Sequence, residues 1–570
     1  MRNINERYVT ETYDEDGLLK TFDLHYPENY NFGYDIVDDI AVNDPDRLAM
    51  IWDSENEGER RFTFADIKRL SDKTANYLSS LGIGKGDMVL LILKQRYQFW
   101  YTMVALHKLG AVAIPATYML TKHDVEYRVR AAEIKAVICT NQTPVSHAVE
   151  AAEDIPSLKH RILVGESRDG WLDFEKGVEE ASEEFERRDT KAEEPMLMYF
   201  TSGTSGNPKM VIHRHTYSLA HMMTAKHWHC VVPDGIHFTV SDTGWGKAVW
   251  GKLYGQWIME SAVFVYQYEK FVPDDIMNMI EKHKITSLCC PPTMFRLYIN
   301  AGVEKHDLSS LKHCNIAGEA LNPDTFEIWR KATGLTLMEG YGQTETTLTI
   351  ATLRGMTPKP GSMGKPSPQF TVDIVDDKGN SCPPGVNGEI VVKADAPGIM
   401  IGYYKDEEKT AVTLRGGWHH TGDVAWKDED GYFWYVGRND DIIKSSGYRI
   451  SPFEIESALL LHPSVLECAV TGVPDPVRGQ VVKATIVLKD GYDGTDELKK
   501  EIQNFTKKET APYKYPRIVE FVKELPKSIS GKIKRVDIRN ADIEASKIKI
   551  HGNCVKHIPE RSFEFHKVVT

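Results

Sequence analysis

Eleven consecutive residues, Tyr199-Phe-Thr-Ser-Gly-Thr-Ser-Gly-Asn-Pro-Lys209, hold two glycines, four Ser/Thr hydroxyls and a closing lysine. A loop of this composition turns backbone N–H groups and hydroxyls toward phosphate oxygens. Its glycines let the main chain come close, and the lysine adds charge. It is not a Walker loop, because Lys209 is followed by Met210 rather than Ser or Thr, and Pro208 disfavours helix at Asn207. Leu197-Met-Tyr-Phe200 before it and Met210-Val-Ile212 after it read as strands, so a flexible linker is the weaker reading. The candidate phosphate contacts are Thr201, Ser202, Gly203, Thr204, Ser205, Gly206 and Lys209.

Six further polar segments follow in order: Gly318-Glu-Ala-Leu321, Glu339-Gly-Tyr-Gly-Gln-Thr-Glu-Thr346, Thr421-Gly-Asp423, Gly437-Arg-Asn-Asp-Asp-Ile-Ile-Lys444, Ser446-Gly-Tyr-Arg-Ile-Ser-Pro452 and Pro526-Lys-Ser-Ile-Ser-Gly-Lys532. Together with the loop they resemble the adenylate-forming superfamily of acyl-CoA synthetases, luciferase-like ligases and peptide-synthetase adenylation domains, over residues 40 to 550. Ala511-Pro-Tyr-Lys-Tyr-Pro-Arg517 is most similar to the medium-chain acyl-CoA synthetase branch.

The resemblance implies a reaction in two halves. A carboxylate attacks the α-phosphate of ATP, giving an acyl-adenylate and pyrophosphate, and the thiol of coenzyme A then displaces AMP. Two anions meet in the first half, so positive charge and preset donors at the α-phosphate are required. By resemblance, Lys532 bridges carboxylate and α-phosphate oxygens, Thr344 bonds the α-phosphate, and Glu345 ligates a Mg²⁺ that neutralises the triphosphate. Asp423 accepts from both ribose hydroxyls, Arg438 holds ribose or phosphate oxygens with its planar fork, and Tyr341 stacks on adenine opposite Gly318, Glu319 and Ala320. Glu339, Gly340, Gly342, Gln343 and Arg449 complete the nucleotide set. For CoA the matching positions are Arg478 and Lys514, with Ser446, Gly447 and Tyr448 beside the pantetheine path, where Gly447 leaves the backbone uncovered. Asp440 falls at the family's hinge, about which a small domain would turn Lys532 and then the Gly447 face to the substrates.

By the same analogy, acid size is set by the residue after Tyr341 and by the segment beginning Ser241-Asp-Thr-Gly-Trp245. Acetate-specific relatives carry Trp where this chain has Gly342, so Gly342 is expected to leave room for a longer acid in a pocket that also includes Gly340, with Trp245 along the wall. Lys247 departs from an apolar lining and either snorkels away or meets a polar group. A medium-length or branched aliphatic acid is expected, with an aromatic acid next. A ligase loading a carrier-protein thiol is the alternative enzyme, and a silent nucleotide sensor is disfavoured because Lys209, Glu345, Asp423 and Lys532 are all present.

These residues need a scaffold, and the chain has length for one: 570 residues at about 150 per domain suggest about four units. Lys+Arg 69 against Asp+Glu 82 gives a net charge of −13, which argues against a nucleic-acid binder. After an irregular opening of about 35 residues, the pattern becomes strand, helix and strand. The segment Thr63-Phe-Ala-Asp66 resembles a capping box ahead of a helix ending near Gly82, and the apolar run Met88 to Leu93 reads as a strand buried on both faces. Short strands take over after residue 370, and a mixed pattern returns from Asp440. The expected fold is α/β: a large domain over 1–439 of wound α/β subdomains plus a β-rich subdomain, a small mobile α+β domain over 440–555, and a tail over 556–570. Eight scattered cysteines without CxxC spacing read as reduced thiols, and the paired histidines His213/His215 and His419/His420 read as structural rather than as metal ligands. The acidic N-terminus has no apolar core, and no run reaches the ~20 residues of a membrane span. A cytoplasmic protein without stable membrane insertion is therefore expected, and self-association is left open.

Overall fold

The computed structural model describes residues 3–201, 208–318, 321, 323–446, 448–475, 477–511, 513–527 and 533–551. By its internal contacts the chain divides into two compact units, Met1–Tyr435 and Val436–Thr570.

The first unit is built on two wound sheets. Strands Met88–Ile92, Val112–Pro115, Ala136–Thr140 and His160–Val164 pair in parallel inside an eight-stranded sheet. Every residue of Met88–Ile92 and Ala136–Thr140 is buried, as expected of strands covered on both faces. Helix Phe64–Ser80 opens with the capping box, Thr63 and Asp66 exchanging side-chain and backbone bonds. Toward the other side of this sheet, inside the edge strand Gly402–Tyr403, Pro195–Thr201 and Lys209–Arg214 pair antiparallel, holding the two ends of the phosphate loop in register at Thr201 and Lys209.

The second sheet has nine strands. Four neighbours run parallel in the order Leu337–Tyr341, His313–Ala317, Ser287–Cys290 and Ile236–Thr239. Their order explains how distant motifs meet. Leu337–Tyr341 runs directly into Gly342–Thr346, His313–Ala317 ends at Gly318, and Ile236–Thr239 leads to Ser241–Trp245, so three motifs emerge at the carboxyl ends of one sheet, where open α/β sheets bind ligands. A four-stranded sheet of Val372–Val375, Gly388–Lys393, Trp418–Lys427 and Phe433–Arg438 carries Thr421-Gly-Asp423 in its third strand.

The opening residues are not irregular. Val9–Tyr13 and Leu19–Leu24 form an antiparallel hairpin, and Gly33–Asp38 is a π-helix. Glu11 of the hairpin bonds Lys226 Nζ at 2.6 Å and His227 Nε2 at 2.8 Å. Burial alone would raise its carboxyl, but the hydrogen bonds from His227, Lys226 and Tyr13 win and hold it at about 2. The second unit wraps helices Pro452–Leu460, Asp496–Glu509 and Arg535–His551 on a five-stranded sheet, with Ile455, Leu459, Val470, Ala484 and Ile486 in its core. Among the described residues no helix is long and apolar enough to cross a membrane.

Candidate active site

Asp423 is the centre of a fixed network. One oxygen accepts from Tyr341 Oη at 2.6 Å and Gln343 Nε2 at 2.6 Å, and the other from Tyr435 Oη at 3.3 Å. The Thr-Gly-Asp turn puts it there: Asp423 N–H donates to Thr421 Oγ1 at 3.1 Å, and Gly422 takes φ of 71°, a left-handed value that suits glycine. Since Gln343 Nε2 faces the carboxylate, its Oε1 must accept. His419 Nε2, 3.0 Å away, is therefore the protonated nitrogen, and burial keeps that imidazole neutral down to about 4. Burial and the facing Asp423 push the Tyr341 phenol well up, so it remains a donor.

A second group surrounds Glu345. Tyr403 Oη donates to Glu345 Oε1 at 2.9 Å, and Lys209 Nζ stands 3.5 Å from the same phenol and 5.0 Å above its ring centre. Tyr403 thus lies between the phosphate-loop lysine and the candidate metal carboxylate. Sequence reasoning did not single it out, nor Tyr435. His213, on the strand that begins at Lys209, reaches Thr344 O at 2.7 Å. Glu339 behaves differently from its motif neighbours. It is 5% exposed and accepts from Gly361 N–H at 2.9 Å, and burial raises its carboxyl to about 8.

The predicted pocket floor is not open at Gly342. A Cβ there would lie 2.5 Å from Cη2 of Trp250 and 2.3 Å from the Thr347 carbonyl oxygen, so the room left by the missing side chain is filled from the far side by an indole. Trp250 Nε1 donates to Tyr217 Oη at 3.2 Å. Gly340 is equally close-packed, its Cβ position 2.6 Å from Trp228. Trp245 is half-buried on a turn pinned by Gly244, whose Cβ would strike Thr117 N at 2.1 Å. Lys247 donates to Ala317 O at 3.0 Å, which ties the segment to the strand that ends at Gly318. Gly318 itself is exposed, at φ 99°.

In the second unit, Ser446 Oγ accepts from Arg478 at 3.3 Å, and Lys514 is paired to both oxygens of Glu454 at 2.6 and 2.7 Å. Tyr448, 51% exposed, stacks on Tyr513, 41% exposed, with centroids 4.2 Å apart. Arg438 Nε is 3.7 Å from Asp440, whose carbonyl accepts from Arg539 at 2.8 Å. Arg449 pairs by its backbone with Lys444. Ser202, Gly203, Thr204, Ser205, Gly206, Glu319, Ala320, Gly447 and Lys532 lie outside the described residues, as does the tail over 556–570.

The chain is of the wound α/β class, with an oriented aspartate and a lysine–tyrosine–glutamate group beside its motif segments. The chain belongs to the AMP-binding enzyme family: the family's pattern matches residues 37–404, and that of the AMP-binding enzyme C-terminal domain matches 454–532. The chain is 42% identical over 560 residues to the mitochondrial acyl-coenzyme A synthetase ACSM3 of Mus musculus, covering 95% of this chain and 96% of that one. It is 43% identical over 530 residues to the human (Homo sapiens) mitochondrial enzyme ACSM5, covering 90% and 91%. Among solved structures it resembles the anthranilate CoA ligase AuaEII in complex with anthranoyl-AMP, with a TM-score of 0.84, 29% identity and coverage of 92% and 99%. It also resembles a Brucella canis acyl-CoA synthetase at a TM-score of 0.70, 30% identity and coverage of 92% and 96%.

The mitochondrial designation of these relatives overturns the expectation of a cytoplasmic protein. That expectation rested on the missing apolar span and on acidic residues in the first segment, which were read against a targeting peptide.

Proposed function

We propose that this chain is an AMP-forming acyl-CoA synthetase. The observation that carries the reading is a pair of preset groups joined through the segment Tyr341–Glu345: Asp423 gripped by Tyr341, Gln343 and Tyr435, and Glu345 linked through Tyr403 to Lys209. Likeness over nearly the full length to acyl-coenzyme A synthetases supports it.

Asp423 receives the ribose hydroxyls, its carboxylate aimed by three donors before the nucleotide arrives. Lys209 and the hydroxyls of its loop hold the outer phosphates. Thr344 bonds the α-phosphate, and Lys532 brings a carboxylate oxygen against it, so that the new O–P bond forms as pyrophosphate leaves. Glu345 suits Mg²⁺: it is a half-buried hard-oxygen donor beside the phosphate-loop strand, its Oε1 already fixed by Tyr403, and a single carboxylate next to phosphates is a donor set that ion uses. When bound, the ion would offset the triphosphate charge. In the second half the CoA sulfur attacks the acyl carbon and AMP departs, with Arg478, Lys514 and Ser446 serving the CoA side.

The acid is a medium-length or branched aliphatic carboxylate. Trp250 standing over Gly342 bounds the space on that side. A panel of carboxylates assayed for pyrophosphate release, with and without CoA, tests this. Steady turnover is expected only with CoA. Acetate as the best substrate, or turnover that ignores CoA, would overturn the reading. Lys532→Ala should lose ~10²–10³ in adenylation while preformed acyl-adenylate still reacts with CoA, and an equal loss in both halves would refute the role of Lys532.

A further inference from the structure

The turn that carries Thr344 and Glu345 is tied internally by Thr346 N–H to Gln343 O at 3.2 Å and by Gln343 N–H to Thr346 Oγ1 at 3.0 Å. It also has outside anchors. Met400 N–H donates to Glu345 O at 2.8 Å and Thr347 N–H to Gly398 O at 2.9 Å, both main chain to main chain. Thr344 O is different, because its partner is the side chain of His213 at 2.7 Å.

A carbonyl oxygen only accepts, so His213 Nε2 carries the proton, and the ring is the neutral Nε2–H tautomer. The surroundings hold it so. His213 is 0% exposed, its Nδ1 is buried with no hydrogen-bond partner among the described residues, and burial keeps the imidazole uncharged down to about 3. The ring is also fixed in space. It lies 4.0 Å from the Tyr217 ring at 31°, and Tyr217 Oη accepts from the Trp250 indole that covers Gly342. One buried side chain therefore joins the strand beginning at Lys209, the turn bearing Thr344 and Glu345, and the wall over Gly342.

We infer that His213 is a positioning residue for adenylation: as an Nε2–H donor to the Thr344 carbonyl it sets the place of the Thr344 and Glu345 side chains against the α-phosphate. The inference rests on the function proposed above. It goes beyond the sequence reading, which treated this histidine as structural only. A neighbour that merely filled space would be replaceable by any side chain of similar bulk, whereas a donor is not.

The test uses the full chain carrying His213→Leu, which keeps bulk without the donor, and His213→Gln, whose amide nitrogen can reach the same carbonyl. Adenylation is followed by acid-dependent exchange of pyrophosphate into ATP, with KM for ATP and for the acid measured separately. Thioester formation from preformed acyl-adenylate and CoA is measured beside it. The Leu variant should lose about tenfold to a hundredfold in kcat/KM for ATP, the scale of a buried acceptor left unpaired, with the CoA half-reaction within about twofold of wild type. The Gln variant should recover most of the adenylation loss. If the Leu variant does not fold, Gln decides alone: wild-type-like adenylation supports the inference, and a loss above tenfold in a folded Gln variant overturns it. A Leu variant equal to wild type, or equal losses in both half-reactions, also overturns it. A wild-type protein that performs no exchange with any acid refutes the proposed function instead, so the two failures are distinct.

Discussion

Replacing Trp250 with alanine should lengthen the preferred acid. The ring tip sits 2.5 Å from the point where a Cβ of residue 342 would be, so the indole closes the space beyond Gly342. Its removal opens that space to substrate. Each methylene transferred from water into an apolar site contributes about 0.8 kcal/mol, so three further methylenes amount to ~2.4 kcal/mol, or roughly a 50-fold rise in kcat/KM for the longer acid relative to the wild-type optimum. The cost is to stability: truncating a buried tryptophan removes about 3–5 kcal/mol, and Tyr217 also loses its indole donor. The assay is kcat/KM across unbranched acids of increasing length for wild type and variant, at a temperature where melting curves show both folded. An unchanged length optimum in a folded variant would refute the idea that Trp250 ends the pocket.

Gly342→Ala should remain damaging even in the Trp250→Ala background, because its Cβ would also meet the Thr347 backbone oxygen at 2.3 Å, and melting temperatures of single and double variants check this. Tyr403→Phe removes the donor to Glu345 and should raise KM for MgATP by about 2- to 10-fold while leaving KM for the acid unchanged. Glu339 has its pKa raised on folding, to about 8, so the folded state holds more protons than the unfolded one between the ordinary carboxyl range and that value. Stability should therefore fall as pH rises from about 5 to 8, and Glu339→Gln should flatten the slope in denaturant titrations at several pH values. A slope identical to wild type would show that Glu339 does not titrate there.

Much of this architecture is local and hence legible in the chain. The unbroken apolar run from Met88 and the Thr63/Asp66 capping box are short-range signals, and the strands and helix appear where those signals stand. The opening hairpin was not legible, because Val9–Tyr13 alternates with polar residues on both faces and is secured by Glu11 bonding to Lys226, 215 positions away. The site divides along the same line. Motif residues such as Asp423, Gln343 and Glu345 could be named from their order along the chain. Tyr403, His213 and the indole over Gly342 owe their importance to approaches made only in three dimensions: the Tyr403–Glu345 bond joins residues 58 apart, and His213 and Thr344 are 131 apart. Gly342 illustrates the difference most directly, since a missing side chain reads as space until a neighbour is found in it.

The nine-stranded sheet also sets a schedule for synthesis. Its strands Leu48–Ser54 and Gly58–Thr63 pair with each other at once, but Leu48–Ser54 finds its other partner only in Ala262–Gln267. At about 5–20 residues per second, the ribosome needs on the order of 10–40 s to reach that partner after Thr63. Through that interval the edge of Leu48–Ser54, with Ala49, Met50, Ile51 and Trp52 all destined for 0% exposure, waits unpaired. Early release of a truncated chain, or translation much slower than this, should favour aggregation through that one edge, and the nascent polypeptide should depend on a chaperone from about residue 60 to about residue 270.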